Sequence, residues 1–174
     1  LGASEYLASV HGVTAGSPPQ CDLDRERSVI NTLLQAIQSG VVASAHDCSD
    51  GGLAIALAEC LMSNPARMTG AEIDLTAWDS LPLRAVLFGE AQGRVVVSSG
   101  ECDRLLDIAA KHSVPARIIG TVTSQSDGLA IRVGKRVINI GTEQLAEAYH
   151  TAIPRIMDAS PQSAAIDETE GVMV

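Results

Sequence analysis

The chain has 174 residues, of which 46% are apolar and 2% aromatic, and it carries a net charge of −9. That length suits one domain with or without an appendage. The negative charge and scarcity of rings argue against a nucleic-acid backbone or a base-stacking surface as partner, and no apolar run approaches membrane-spanning length.

In chain order, "SEYLASVHG" reads as a short helix capped by Ser4. "VTAGSPPQC" is loop, because Pro18 and Pro19 interrupt regular structure. Between Asp22 and Ser39 the apolar residues Val29, Ile30, Leu33, Leu34 and Ile37 repeat at helical spacing, and Gly40 is a fitting stop. "VVASAH" (41–46) has the length of a buried strand, and "GGLAIALAECLM" (51–62) reads as a helix with little polar surface. "AEIDL" alternates as a strand does, "SLPLRAVLFG" fits one or two helical turns, and "RVVVS" is a strand. "ECDRLLDIAAKHS" is a helix with Leu105, Leu106, Ile108 and Ala109 inward. "ARIIGTV", "LAIRV" and "RVINI" read as three strands of a late meander, and "TEQLAEAYHTAIPRIM" as a last helix that Pro154 kinks or shortens. Residues 1–159 make the domain, and residues 160–174 read as a flexible acidic tail. The alternation of helices and strands predicts an α/β (α+β) fold, a three-layer α/β/α sandwich. Its sheet is expected to be mixed, because successive strands have short connections.

Two stretches concentrate polar side chains. In "HDCSDGGLAIALAEC" (46–60) a strand, a polar turn and a helix start succeed one another. Two readings fit. Unpaired amides at the helix start, with Gly51 and Gly52 allowing close approach, can hold a phosphate. Asp47 and Asp50 would repel it unless Mg²⁺ bridged them. Alternatively, Ser49 or Asp50 caps the helix, and the glycines permit tight packing against the sheet. The stretch is neither a Walker loop nor a dinucleotide fingerprint. His46 beside Cys48 suggests a thiol dyad, but nothing in the sequence orients the histidine.

The second stretch is "LFGEAQGRVVVS" (87–98), where Glu90, Gln92 and Arg94 stand at a strand entrance. A carboxylate, an amide and a guanidinium so placed can recognise hydroxyls, amides or phosphates. The alternative is a solvated turn with a Glu90–Arg94 pair of little energetic consequence. The four cysteines, at 21, 48, 60 and 102, match no zinc or disulfide spacing and read as reduced thiols of a cytoplasmic protein. Cys21, Cys60 and Cys102 read as small packing residues. The sequence begins at Leu1, not Met, and reads as an excised or processed piece of a longer chain.

"LGASEYL" followed by "HG", then "AHDCSDGGLAIALAE", then "LFGEAQGRVVVS" together resemble the last domain of the phosphoribosylformylglycinamidine synthase family, of the small synthetase-subunit type, within the aminoimidazole ribonucleotide synthetase C-terminal superfamily. The resemblance runs from Leu1 to about Met157. It implies a purine-biosynthesis ligase that takes formylglycinamide ribonucleotide, ATP and glutamine-derived ammonia to formylglycinamidine ribonucleotide, ADP and phosphate. The amide oxygen would be phosphorylated and the phosphate then displaced by ammonia. It implies a partly ferredoxin-like sandwich and a domain inactive in isolation. ATP and Mg²⁺ would be bound mainly by upstream domains of the synthase. A separate glutaminase subunit and a small accessory subunit would be its partners. No catalytic residue and no metal ligand is carried over to this chain. Glu90, Ala91 and Gln92 stand where the first repeat of the family has a substrate-contacting Glu-Ser-Gln, with Ala91 in place of the serine. Asp47, Ser49, Asp50, Gly51, Gly52 and Arg94 complete the candidate substrate or nucleotide contacts. Two alternatives remain: a packing or auxiliary-nucleotide module of the same enzyme, or the corresponding half of another superfamily member, such as a small-molecule kinase.

Overall fold

The structure is a computed structural model and describes residues 1–158. The expected tail, 160–174, lies outside the described residues.

Helix α1 (Glu5–His11) starts at Ser4, whose hydroxyl accepts the Leu7 N–H, and stops at Gly12 in the left-handed conformation. Helix α2 (Leu23–Gln38) is capped by Asp22, whose side chain accepts from the amides of Asp24 and Arg25. Strand β1 (Ser44–Asp47) leads into α3 (Gly52–Met62), and strand β2 (Gly70–Asp74) and the short α4 (Leu83–Phe88) follow. Then come β3 (Val95–Ser98), α5 (Cys102–Lys111), β4 (Gly120–Thr123), β5 (Leu129–Val133), β6 (Arg136–Ile140) and α6 (Thr142–Asp158). Single 3₁₀ turns stand at Pro65–Arg67, Thr76–Trp78 and Gln125–Asp127.

The fold is α/β with a mixed sheet, as expected, but the strands divide into two sheets. One has four strands in the order β4-β2-β5-β6, with β2 and β5 parallel and the other pairs antiparallel. The other is a two-stranded ribbon of β1 and β3. The expected late meander is therefore corrected: β2 inserts between β4 and β5, and only β5 and β6 form a hairpin. Spacing along the chain reports strand lengths but not which earlier strand takes a place in the sheet.

The core explains the arrangement. Leu57, Leu61 and Met62 of α3 pack with Ala71, Ile73, Leu75, Leu129, Ile131 and Val133 beneath them. Alternation on β2 and β5 sends Glu72, Asp74 and Arg132 to the opposite, exposed face. Helix α3 also contacts both strands of the ribbon, α4 and α6. It is buried on most sides, which accounts for a sequence with almost no polar stripe. A smaller cluster of Ala36, Val41 and Ile108 joins α2 to α5.

Two further expectations change. "VVASAH" is not a buried strand. Val41 enters the α2–α5 cluster, the strand begins only at Ser44, and Ser44, Ala45 and Asp47 are exposed because β1 has a single neighbour. Pro154 does not shorten α6, which runs on to Asp158. The carbonyl deprived of its N–H partner belongs to exposed His150, where water can serve it.

Candidate functional site

The two polar stretches meet because β1 and β3 pair. In the antiparallel register Asp47 faces Val95, so the residues after Asp47 run beside those before Val95. The Cys48 N–H donates to the Arg94 carbonyl oxygen at 2.8 Å, extending the ribbon into both loops. A turn at the start of α3 thus lies against the loop between α4 and β3.

Glu90 is the centre of this junction. One of its carboxylate oxygens, Oε1, accepts the Gly51 N–H at 2.8 Å and the Glu5 N–H at 2.9 Å. It joins the starts of α3 and α1, whose amides lack partners within their own helices. The expected cap by Ser49 or Asp50 is corrected. The N-cap of α3 is Gly51, with φ 76°, and no side chain of its own turn caps it. The N–H of that N-cap residue goes instead to Glu90, 39 positions along the chain.

The glycines are required by crowding. Gly52 has φ 69°, and a Cβ there would lie 2.6 Å from the Gly89 carbonyl oxygen and 2.9 Å from the Phe88 carbonyl carbon. The tight packing expected of these glycines is present, but against the Phe88–Gly89 backbone. Gly93, φ 64°, lies beside the Glu26 carboxylate at the start of α2. Tyr6 stacks on Phe88 with ring centroids 4.8 Å apart, a second tie between α1 and this loop.

The remaining candidates separate. Arg94 does not pair with Glu90; its guanidinium donates to the Gly89 carbonyl oxygen at 2.9 Å and closes its own loop. Gln92 is exposed, as is Asp50. Asp47 is exposed and accepts the Ser49 hydroxyl, which holds its carboxyl below the usual aspartate range. His46 Nδ1 donates to the Asp47 carbonyl oxygen at 2.7 Å, and its Nε2 lies 3.5 Å from Glu59 Oε2. Burial pushes the Cys48 thiol up, away from the thiolate a nucleophile needs. Cys60 is half-buried and its thiol is pushed up likewise, whereas Cys21 is exposed and packs as no core residue does.

Neither ATP phosphates nor Mg²⁺ fit this junction as it stands. The Gly51 amide already has a carboxylate on it, and the same turn carries the acidic residues Asp47 and Asp50. No group of three or more His, Cys, Asp or Glu side chains is gathered for a metal among the described residues. What the residues do together is hold two helix starts and a strand entrance in one place. Sequence reasoning named Glu90, Gly51 and Gly52 but missed Glu5, Glu26 and the Tyr6–Phe88 stack. A backbone N–H acting as partner leaves no mark on residue type.

Comparisons with known proteins agree with this framework. The family model for "AIR synthase related protein, C-terminal domain" matches residues 1–132. The chain is 38% identical over 160 residues to "Phosphoribosylformylglycinamidine synthase subunit PurL" of Moorella thermoacetica, covering 90% of this chain and 21% of that protein. It is 36% identical over 167 residues to the protein of the same name from Anaeromyxobacter sp., again covering 90% of this chain and 21% of the relative. It therefore spans about a fifth of the length of these curated relatives. Among solved structures, "T. maritima PurL complexed with FGAR" superposes with TM-score 0.67 at 21% identity over 95% of this chain and 26% of that one. "T. maritima PurL complexed with ATP" gives TM-score 0.63 at 22% identity over 83% and 24%. At such identity these structures speak for the fold.

Proposed function

The chain belongs to the family of AIR synthase related proteins, C-terminal domain, and from that premise we propose that it is the last domain of a phosphoribosylformylglycinamidine synthase. The complete protein is a cytoplasmic ATP-dependent C–N ligase of purine biosynthesis. It takes formylglycinamide ribonucleotide, ATP and glutamine-derived ammonia to formylglycinamidine ribonucleotide, ADP and phosphate. ATP and Mg²⁺ are held mainly by its upstream domains. A glutaminase subunit and a small accessory subunit are its partners, a reading supported by the solved "PurLQS" assembly of T. maritima to which this fold is similar. No helix among the described residues is long and apolar enough to cross a membrane.

Within that enzyme the domain is a scaffold. The observation that carries this role is Glu90: its carboxylate is spent on backbone amides of the chain itself. Exposed Gln92 favours a second role, a wall of the ligand cleft, since its side-chain amide is free to meet a ligand.

The test uses the full-length protein. Supplied with formylglycinamide ribonucleotide, ATP and ammonia, it should form the amidine with one ADP and one phosphate per turnover. Gln92→Ala then separates the two roles. An unchanged KM for both substrates supports the scaffold, and a several-fold rise in one of them supports the cleft wall. Phosphorylation of some other small molecule, with no amidine formed, would place the chain in a kinase of the superfamily.

A further inference from the structure

Going beyond that reading, we infer that Glu90 is a positioning residue whose single carboxylate oxygen couples α1 to the start of α3 and holds the place that an anionic ligand group would need there.

Helix α1 has no buried residue of its own. What fixes it is the buried Ser4 beside it, the Tyr6–Phe88 stack and the bond from Glu5 N–H to Glu90. The same oxygen takes the Gly51 N–H. Both bonds lie within the range of good charge-assisted hydrogen bonds. The two donors are 46 positions apart in sequence and would otherwise be independent. Reach matters as much as charge, because Glu90 stands on the loop that packs on Gly52 and has to touch both helix starts at once. A phosphate arriving at Gly51 would have to displace this carboxylate and approach the exposed Asp47 and Asp50. The domain thus supplies its own anion at the turn.

Three variants of the full-length protein test this by backbone amide hydrogen exchange, read residue by residue by mass spectrometry. E90Q keeps the acceptor and its reach, E90D keeps the charge but is one methylene shorter, and E90A keeps neither. Exchange at the Glu5 and Gly51 amides should rise together in E90A, by about tenfold or more, as loss of a charged acceptor implies. Core amides of Ile73 and Ile131 should stay protected. E90Q should retain more protection at both amides than E90D. Independently of any variant, adding inorganic phosphate to the wild-type full-length protein should leave exchange at the Gly51 and Gly52 amides unchanged. A response at only one of the two amides, E90Q no better than E90D, or a saturable protection of Gly51 by phosphate overturns the inference. None of these readings depends on ligase turnover.

Discussion

Gly52 lies against the backbone of Gly89, so close that a methyl group on Gly52 would stand 2.6 Å from the Gly89 carbonyl oxygen. The contact brings the start of α3 onto the end of α4 and fixes the loop that carries Glu90. It also converts a glycine that looks like a phosphate-binding signature into a packing requirement.

Gly52→Ala should accordingly destabilise the fold by about 2–4 kcal/mol, combining a left-handed φ with an overpacked backbone contact. Gly12 is the control, because its φ of 64° is similar but nothing lies within 4 Å of its Cβ position. Gly12→Ala should cost only about 1 kcal/mol. Urea unfolding of both variants measures the difference, and equal losses would discard the contact as the cause.

The Asp47–Ser49 hydrogen bond sets the pH response of the turn. Because it lowers the Asp47 pKa in the folded state, its stabilising effect is present above the ordinary aspartate range. That effect is lost as pH falls through the folded value. Ser49→Ala should raise the Asp47 pKa toward the ordinary aspartate range. A carboxyl-carbon NMR titration reads this directly, and an unchanged midpoint would remove Ser49 as the cause.

The thiols should sort by burial. Exposed Cys21 should react first with a disulfide reagent, and Cys48 and Cys60, whose thiols burial pushes up, should lag by about tenfold or more. Peptide mass mapping over time gives the order. A Cys48 that reacts as fast as Cys21 would reopen the nucleophile reading.

Apolar residues of the same type should differ sharply by place. Leu75, the residue that follows β2, is 0% exposed, whereas Leu34 on α2 is 50% exposed. Leu75→Ala should cost about 3–5 kcal/mol by leaving a cavity, and Leu34→Ala less than about 1 kcal/mol. Thermal melts at fixed pH compare the two.

Helices and strands were legible because their signals are local. The repeat Val29, Ile30, Leu33, Leu34, Ile37 and the alternation in "AEIDL" need only a few neighbouring residues to be read. The cap at Ser4 was equally readable, as it bonds within its own first turn. The candidate site was half legible. Gly51, Gly52 and Glu90 stand out by type, but of the two readings open for Glu90, a ligand contact or a pair with Arg94 four positions away, neither names its partners, the amides of Gly51 and Glu5. The place of β2 between β4 and β5 was hidden for the same reason: strand order depends on contacts between distant segments.

The sequence by itself determined the helix and strand segments, the apolar core-formers and a family signature, since these depend on residue type and short-range spacing. Only the tertiary structure decided what the signature does. The pairing of β1 with β3 lays the two polar stretches side by side, and one carboxylate then satisfies two helix starts. A hydrogen bond to a backbone N–H asks nothing of the donor's side chain, so no reading of residue types could have placed it.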